Sequence, residues 1–183
     1  MNETESRAPA VRSEPLPRDM EASPTRSQVT PAGGVGQAVA GGRITRLPDW
    51  EARMNRAIDA LRDTPFQWGR ADCVLAVVDI VLAMTGSDIA GEYRGRYTEQ
   101  RGAYRLLGKY AGAGLEAAAA KRFRELAAPE IVVALARRGD VLLFDGAAEP
   151  SLAICIGQHA AAMGEAGLLF IPALDCRRAW RIG

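Results

Sequence analysis

From Val74 to Leu82 the chain reads Val-Leu-Ala-Val-Val-Asp-Ile-Val-Leu, and Asp79 is its one polar residue. A helix on the surface of a globular protein keeps a polar stripe; this segment has almost none, so it must be buried on most sides. It is also far shorter than a bilayer span. The rest of the chain must therefore supply elements that wrap a central apolar helix. That helix is expected from about Asp72 to Met84, with Asp72 as its cap and Gly86 as its stop. Asp79 is expected on the narrow strip that faces solvent.

The wrapping elements can be read on both sides. Before it, Trp50, Met54, Ala57, Ile58 and Leu61 recur at helical spacing and predict a helix over residues 48–63, with Pro48 and Asp49 at its start. After it, Ile89 to Tyr97 reads as a loop leading to a helix opened by Thr98, anchored by Tyr104, Leu106 and Leu107. Arg94, Arg96 and Arg101 are expected as solvated loop residues beside packing tyrosines. An alanine run predicts a further helix over about 115–126.

From Ile131 the period changes. Strands are expected over 141–144, 151–156, 159–163 and 168–172, separated by turns at Asp145-Gly146, Gly157-Gln158 and Gly164 to Gly167. Trp180 to Ile182 is expected as a last edge strand. Helices first and a meandering antiparallel sheet second make an α+β domain. Residues 1–45 differ: five prolines, two Gly-Gly pairs and few large apolar side chains predict an extended, disordered arm in the free chain. The domain is expected to occupy residues 46–183.

Composition narrows the function. The formal net charge is +1, which gives no general attraction to nucleic acid or to an anionic membrane. Three cysteines at irregular spacing form neither a disulfide framework nor a metal site, and a reducing compartment is the simplest expectation. No cofactor motif is present and no metal is expected. The polar N-terminus does not read as a signal peptide. His159 is the single histidine, so any cysteine–imidazole chemistry has one candidate base.

The candidate nucleophile is Cys73. It follows Pro65-Phe66-Gln67-Trp68-Gly69-Arg70-Ala71-Asp72, a tight turn running into the buried helix. A cysteine at a helix start feels the positive end of the dipole and unpaired backbone N–H groups, a setting that favours thiolate.

This pattern resembles the nucleophile region of NlpC-type, papain-like cysteine peptidases, which often read Pro-aromatic-x-Trp/Tyr-Gly and then Asp-Cys-Ser-Gly. Here Val74-Leu75 stands in place of Ser-Gly. Arg138-Gly139-Asp140-Val141-Leu142-Leu143-Phe144 is similar to the family's Gly-Asp-Leu-Val-Phe-Phe strand. Ser151 through Gly157 is similar to its His-Val-Gly-Ile-Tyr-Ile-Gly strand. More closely, residues 46–183 resemble short phage and prophage tail proteins related to that superfamily. The resemblance implies a papain-like (NlpC-type) fold, with N-terminal helices packed on a small antiparallel sheet. Trp68, Gly69 and Asp72 would lie at the substrate-binding side of Cys73.

In the related peptidases a histidine starting the second strand is the base. The same alignment places Ser151 in that slot, and serine does not accept a proton near neutral pH. His159 lies past the Gly157-Gln158 turn, at the far end of the strand, about 20 Å from Ser151. Loss of the peptidase centre is therefore expected. The first reading is a structural or assembly protein of a phage-type tail, at the tail tip, located in the virion or in the bacterial cytoplasm during assembly. Other tail or hub proteins would be its partners, reached through residues 1–45. The alternative is an active cell-wall endopeptidase, or an amidase or acyltransferase, in which Cys73 attacks a peptidoglycan stem peptide and His159 or a partner's residue serves as base.

Overall fold

The computed structural model describes residues 43–183. Four helices come first: α1 (Trp50–Leu61), α2 (Leu75–Thr85), α3 (Gln100–Ala111) and α4 (Leu115–Glu125). Six strands follow: β1 (Glu130–Ile131), β2 (Val141–Asp145), β3 (Pro150–Cys155), β4 (His159–Gly164), β5 (Gly167–Pro172) and β6 (Arg178–Trp180). They form one sheet in the order β1-β6-β2-β3-β4-β5, with every neighbouring pair antiparallel. The domain is α+β, as the order of the elements predicts.

The apolar helix is central. Leu75, Val81 and Met84 of α2 are fully buried, and Met54 and Ile58 of α1 pack into the same cluster. Val141, Leu143, Leu152, Ile154, Ala161 and Trp180 belong to that cluster too, and form the inner face of the sheet. Each such side chain gains roughly 1.5–3 kcal/mol from leaving water, which is why a helix with almost no polar face ends up here. Gly86 ends α2 in the left-handed conformation, and its N–H donates to the Leu82 carbonyl. The strands alternate, so Leu142, Ala153, Cys155, Ala160, Ala162 and Ile171 line the opposite face. Two single 3-10 turns, Val133–Leu135 and Ala173–Asp175, carry Val133 and Ala173 into that outer cluster.

One buried charge ties distant parts of the chain. Asp140 is fully buried. Its Oδ1 accepts from Arg46 Nη2 at 2.9 Å and from the Ile182 N–H at 3.2 Å. Its Oδ2 accepts from the Arg137 N–H at 2.8 Å and from Arg181 Nε at 3.1 Å. The segment before α1, the turn before β2 and the C-terminal residues meet at this carboxylate.

Several expectations need correction. The last strand is not an edge strand over 180–182. It is β6, and it lies inside the sheet because the two residues of β1 cover its outer side. A two-residue strand has no alternation to read. Helix α2 starts at Leu75, with Asp72 to Val74 forming the turn before it, and α3 starts at Gln100 rather than Thr98. Cys176 is buried in the outer apolar cluster. Asp79 is partly exposed but not merely solvated: Arg94 pairs with it at 2.6 Å and with Asp88 at 2.8 Å. Arg94 is therefore not a free basic group, whereas Arg96 and Arg101 are exposed. The expected arm falls almost wholly outside the described residues. Of its last residues, Ile44 is buried and its N–H donates to the Leu126 carbonyl, so the domain begins before residue 46. No helix among the described residues is long and apolar enough to cross a membrane.

Candidate functional site

The turn at Trp68-Gly69 is closed by paired backbone bonds between Gln67 and Ala71, at 3.0 and 2.9 Å. Gly69 sits at φ +74, and a Cβ there would lie 1.9 Å from the Tyr97 carbonyl oxygen. Glycine is thus required both for the backbone conformation and for the close approach of the loop after α2.

Asp72 is fully buried at the centre of this turn. Its Oδ1 accepts from the N–H groups of Val74 at 3.0 Å and Leu75 at 2.9 Å, which caps α2 as expected. Its Oδ2 accepts from the Gly69 N–H at 2.9 Å and from the Tyr97 hydroxyl at 2.6 Å. Tyr97, bonded and buried in this way, holds its proton more tightly than an ordinary tyrosine, with burial the larger cause. All four donors to Asp72 are neutral.

Cys73 follows directly and is partly buried. Burial pushes its thiol up to about 12, and the adjacent Asp72 carboxylate adds to the shift. The nearby Ser151 hydroxyl works the other way, too weakly to reverse it. The helix start is worth about 0.5 kcal/mol, roughly a third of a pKa unit. The expectation that the helix terminus would yield a thiolate therefore fails: loss of hydration and a neighbouring anion outweigh the dipole.

The fold brings Ser151 to the thiol and leaves His159 away from it. Ser151 lies near the start of β3, opposite Phe144 of β2. His159 is exposed at the start of β4, beyond the other end of β3, with Pro172 as its cross-strand neighbour. Ile156, whose N–H donates to the His159 carbonyl, is five residue steps along the strand from Ser151, a run of about 16 Å. No imidazole reaches Cys73.

Beside Cys73 a cavity of about 80 Å³ runs between α2, α3 and α4. Trp68, Tyr93, Tyr97, Tyr104 and Tyr110 line it, together with leucines and alanines of the helices and Arg122 of α4. Trp68, expected on the substrate side, packs edge-on against Phe66 at 4.8 Å and Tyr97 at 6.5 Å. Gly69 and Asp72 shape the turn behind the thiol; Asp72 also borders the cavity. Tyr104 also lines the cavity, and burial holds its hydroxyl proton more tightly than in an ordinary tyrosine. Sequence reasoning treated Tyr104 only as an anchor and missed Tyr97 and Arg122. The tyrosines recurring between residues 93 and 110 were the available signal for an aromatic-lined space.

Among the described residues, no group of three or more His, Cys, Asp or Glu side chains is placed to hold a metal ion. Together these features define a small α+β domain with a half-buried thiol on the wall of an apolar cavity. The chain belongs to the DUF6950 family, a domain of unknown function whose family model matches residues 45–182. No curated protein matches the sequence.

Proposed function

We propose that this protein is a structural or assembly component of a phage-type tail, at the tail tip, built on a papain-like, NlpC-type fold whose peptidase centre no longer operates. The tail context and the papain-like assignment rest on the resemblance of Trp68-Gly69, Asp72-Cys73 and the strands from Arg138 to Phe144 and from Ser151 to Gly157. One observation carries the loss of activity: the group beside the Cys73 thiol is the Ser151 hydroxyl, and the one imidazole lies at the far end of β3.

The chemistry supports this reading. A cysteine peptidase needs a base that makes the thiolate and then protonates the leaving amine. A serine hydroxyl does neither near neutral pH. A thiol pushed up to about 12 is almost wholly protonated at the pH of a cell. Tail and hub proteins would be the partners, in the virion or in the bacterial cytoplasm during assembly, with residues 1–45 making the contacts. Peptidoglycan contact without cleavage fits the same reading.

The test is digestion of purified peptidoglycan by the wild type and by Cys73→Ala, with released peptides followed by mass spectrometry. No cysteine-dependent release is expected. Release that disappears in Cys73→Ala would replace this reading with the cell-wall endopeptidase or amidase. The assembly role is tested by deleting residues 1–42, which should block tail formation and leave the domain folded; normal infectious particles would reject it.

A further inference from the structure

We infer that the two adjoining 3-10 turns on the outer face of the sheet form a docking surface for a second copy of this chain, related to the first by a two-fold axis. The inference does not depend on the tail reading.

Among the described residues, the large apolar side chains left exposed are Val132, Leu135 and Leu174, at 69%, 62% and 73%. All three belong to these turns. Val132 opens the first, Leu135 ends it, and Leu174 is the middle residue of the second. The turns pack against each other. Burial of Val133 and Ala173 in the outer cluster explains why their neighbours face outward. It does not explain why those neighbours are apolar, since backbone bonds close both turns: Leu135 N–H to the Val132 carbonyl at 2.8 Å and Cys176 N–H to the Ala173 carbonyl at 3.2 Å. A single exposed leucine is ordinary; three such side chains gathered on two touching turns mark a contact surface. The surface is also held ready. Arg181 Nη2 donates to the Leu135 carbonyl at 2.8 Å, and the Ala173 N–H donates to the Gln158 carbonyl at 2.9 Å. Little backbone ordering is left for a partner to impose.

The charges select that partner. The neighbouring arginines are engaged: Arg177 with Glu116 and Asp145, Arg178 with Glu116 and Glu130, Arg181 with Asp140. Arg137, just past the first turn, and Asp175, the last residue of the second, are exposed and make no ion pair among the described residues, with each other or elsewhere. In a two-fold contact, a residue that meets another is met by it in return. Laying the first turn of one copy on the second turn of the other sets Leu135 against Leu174 and Arg137 against Asp175, and does so twice. A surface with a spare cation on one turn and a spare anion on the other thus completes itself with its own copy. A partner of one dominant charge would repel one of the two. Three side chains supply a few hundred Å², less than the roughly 800 Å² that each side of a standard interface buries. The dimer is therefore weak and forms only at high concentration.

The test is sedimentation equilibrium of the full chain from about 5 to about 500 µM, a range that brackets a Kd on the order of 100 µM. Monomer at the low end and a reversible dimer at the high end are expected. Leu174→Glu should weaken association about tenfold or more. Arg137→Glu and Asp175→Arg should each weaken it about fivefold. An equimolar mixture of those two variants should associate about as tightly as the wild type, because each copy supplies the charge the other needs. All three positions are exposed, so circular dichroism should stay that of the wild type; should one variant not fold, the wild-type series and the remaining variants decide. A wild type that stays monomeric throughout overturns the inference and gives the surface to another protein. Undiminished dimerisation by Leu174→Glu or by both charge variants, or a mixture no tighter than its components, overturns it too.

Discussion

Asp72 and Asp140 are both fully buried, and each accepts four hydrogen bonds, yet they do opposite things for the molecule. Asp140 receives two guanidinium groups, from Arg46 and Arg181, and so joins parts of the chain far apart in sequence. Asp72 receives three backbone N–H groups and one phenol, all from the turn it caps or the loop pressed on that turn. Its charge is solvated by dipoles but not cancelled, and its sequence neighbour is Cys73. One aspartate holds the fold together. The other shapes the site and adds its charge to the burial that pushes the Cys73 thiol up. A centre built to use a thiolate would place a cation or an imidazole there; this one places an anion and a hydroxyl.

Four experiments break or sharpen that contrast, in falling order of effect. Asp140→Ala should cost about 3–5 kcal/mol in urea unfolding, because Arg46 and Arg181 are left facing each other without their anion; a loss below about 1 kcal/mol would mean the clamp is ornamental. Gly69→Ala should cost about 3 kcal/mol, since the new Cβ meets the Tyr97 carbonyl and the backbone is left-handed. Asp72→Asn should cost about 2 kcal/mol, because one side of the amide presents N–H to the Gly69 and Tyr97 donors. The same change should bring the Cys73 thiol down, which Asp140→Ala should not do. Tyr97→Phe, which removes one donor of four, should cost about 1 kcal/mol.

The thiol also leaves a mark on stability at high pH. Below about pH 9 both the folded and unfolded chains keep the Cys73 proton; between 9.0 and about 12 the unfolded chain releases it and the folded chain does not. The unfolded state then binds fewer protons, so stability falls as pH rises through that window. The stability of the wild type relative to Cys73→Ala should decline from pH 9 upward. A flat difference would mean the thiol is not desolvated.

What could be read from the sequence follows from range. The buried α2, the stripe of α1 and the alternation of β2 to β5 are local patterns, and local patterns predict the α+β class. Asp72 as a cap is equally local. By contrast, Tyr97 reaches Asp72 across 25 positions, and Asp140 meets Arg46 across 94 and Arg181 across 41. No periodicity encodes such meetings. From the sequence β6 reads as an edge, because β1 is too short to announce itself. The helix-start argument for Cys73 was sound for an exposed cysteine and failed because desolvation, a property of the folded whole, outweighs a terminal dipole. Ser151, set near the Cys73 sulfur, also joins it across a long stretch of chain, and only the resemblance of its strand to the peptidase strand pointed to it.

The central claim is that Cys73 is a protonated thiol with no base beside it. The most direct measurement is the rate of Cys73 alkylation by iodoacetamide as a function of pH, followed by peptide mass spectrometry on the folded chain. The account predicts a rate that is slow at neutral pH and still climbing well above pH 9, where an ordinary cysteine has levelled off. A fast rate with a plateau near pH 6 or 7, the mark of a thiolate–imidazolium pair, would contradict it.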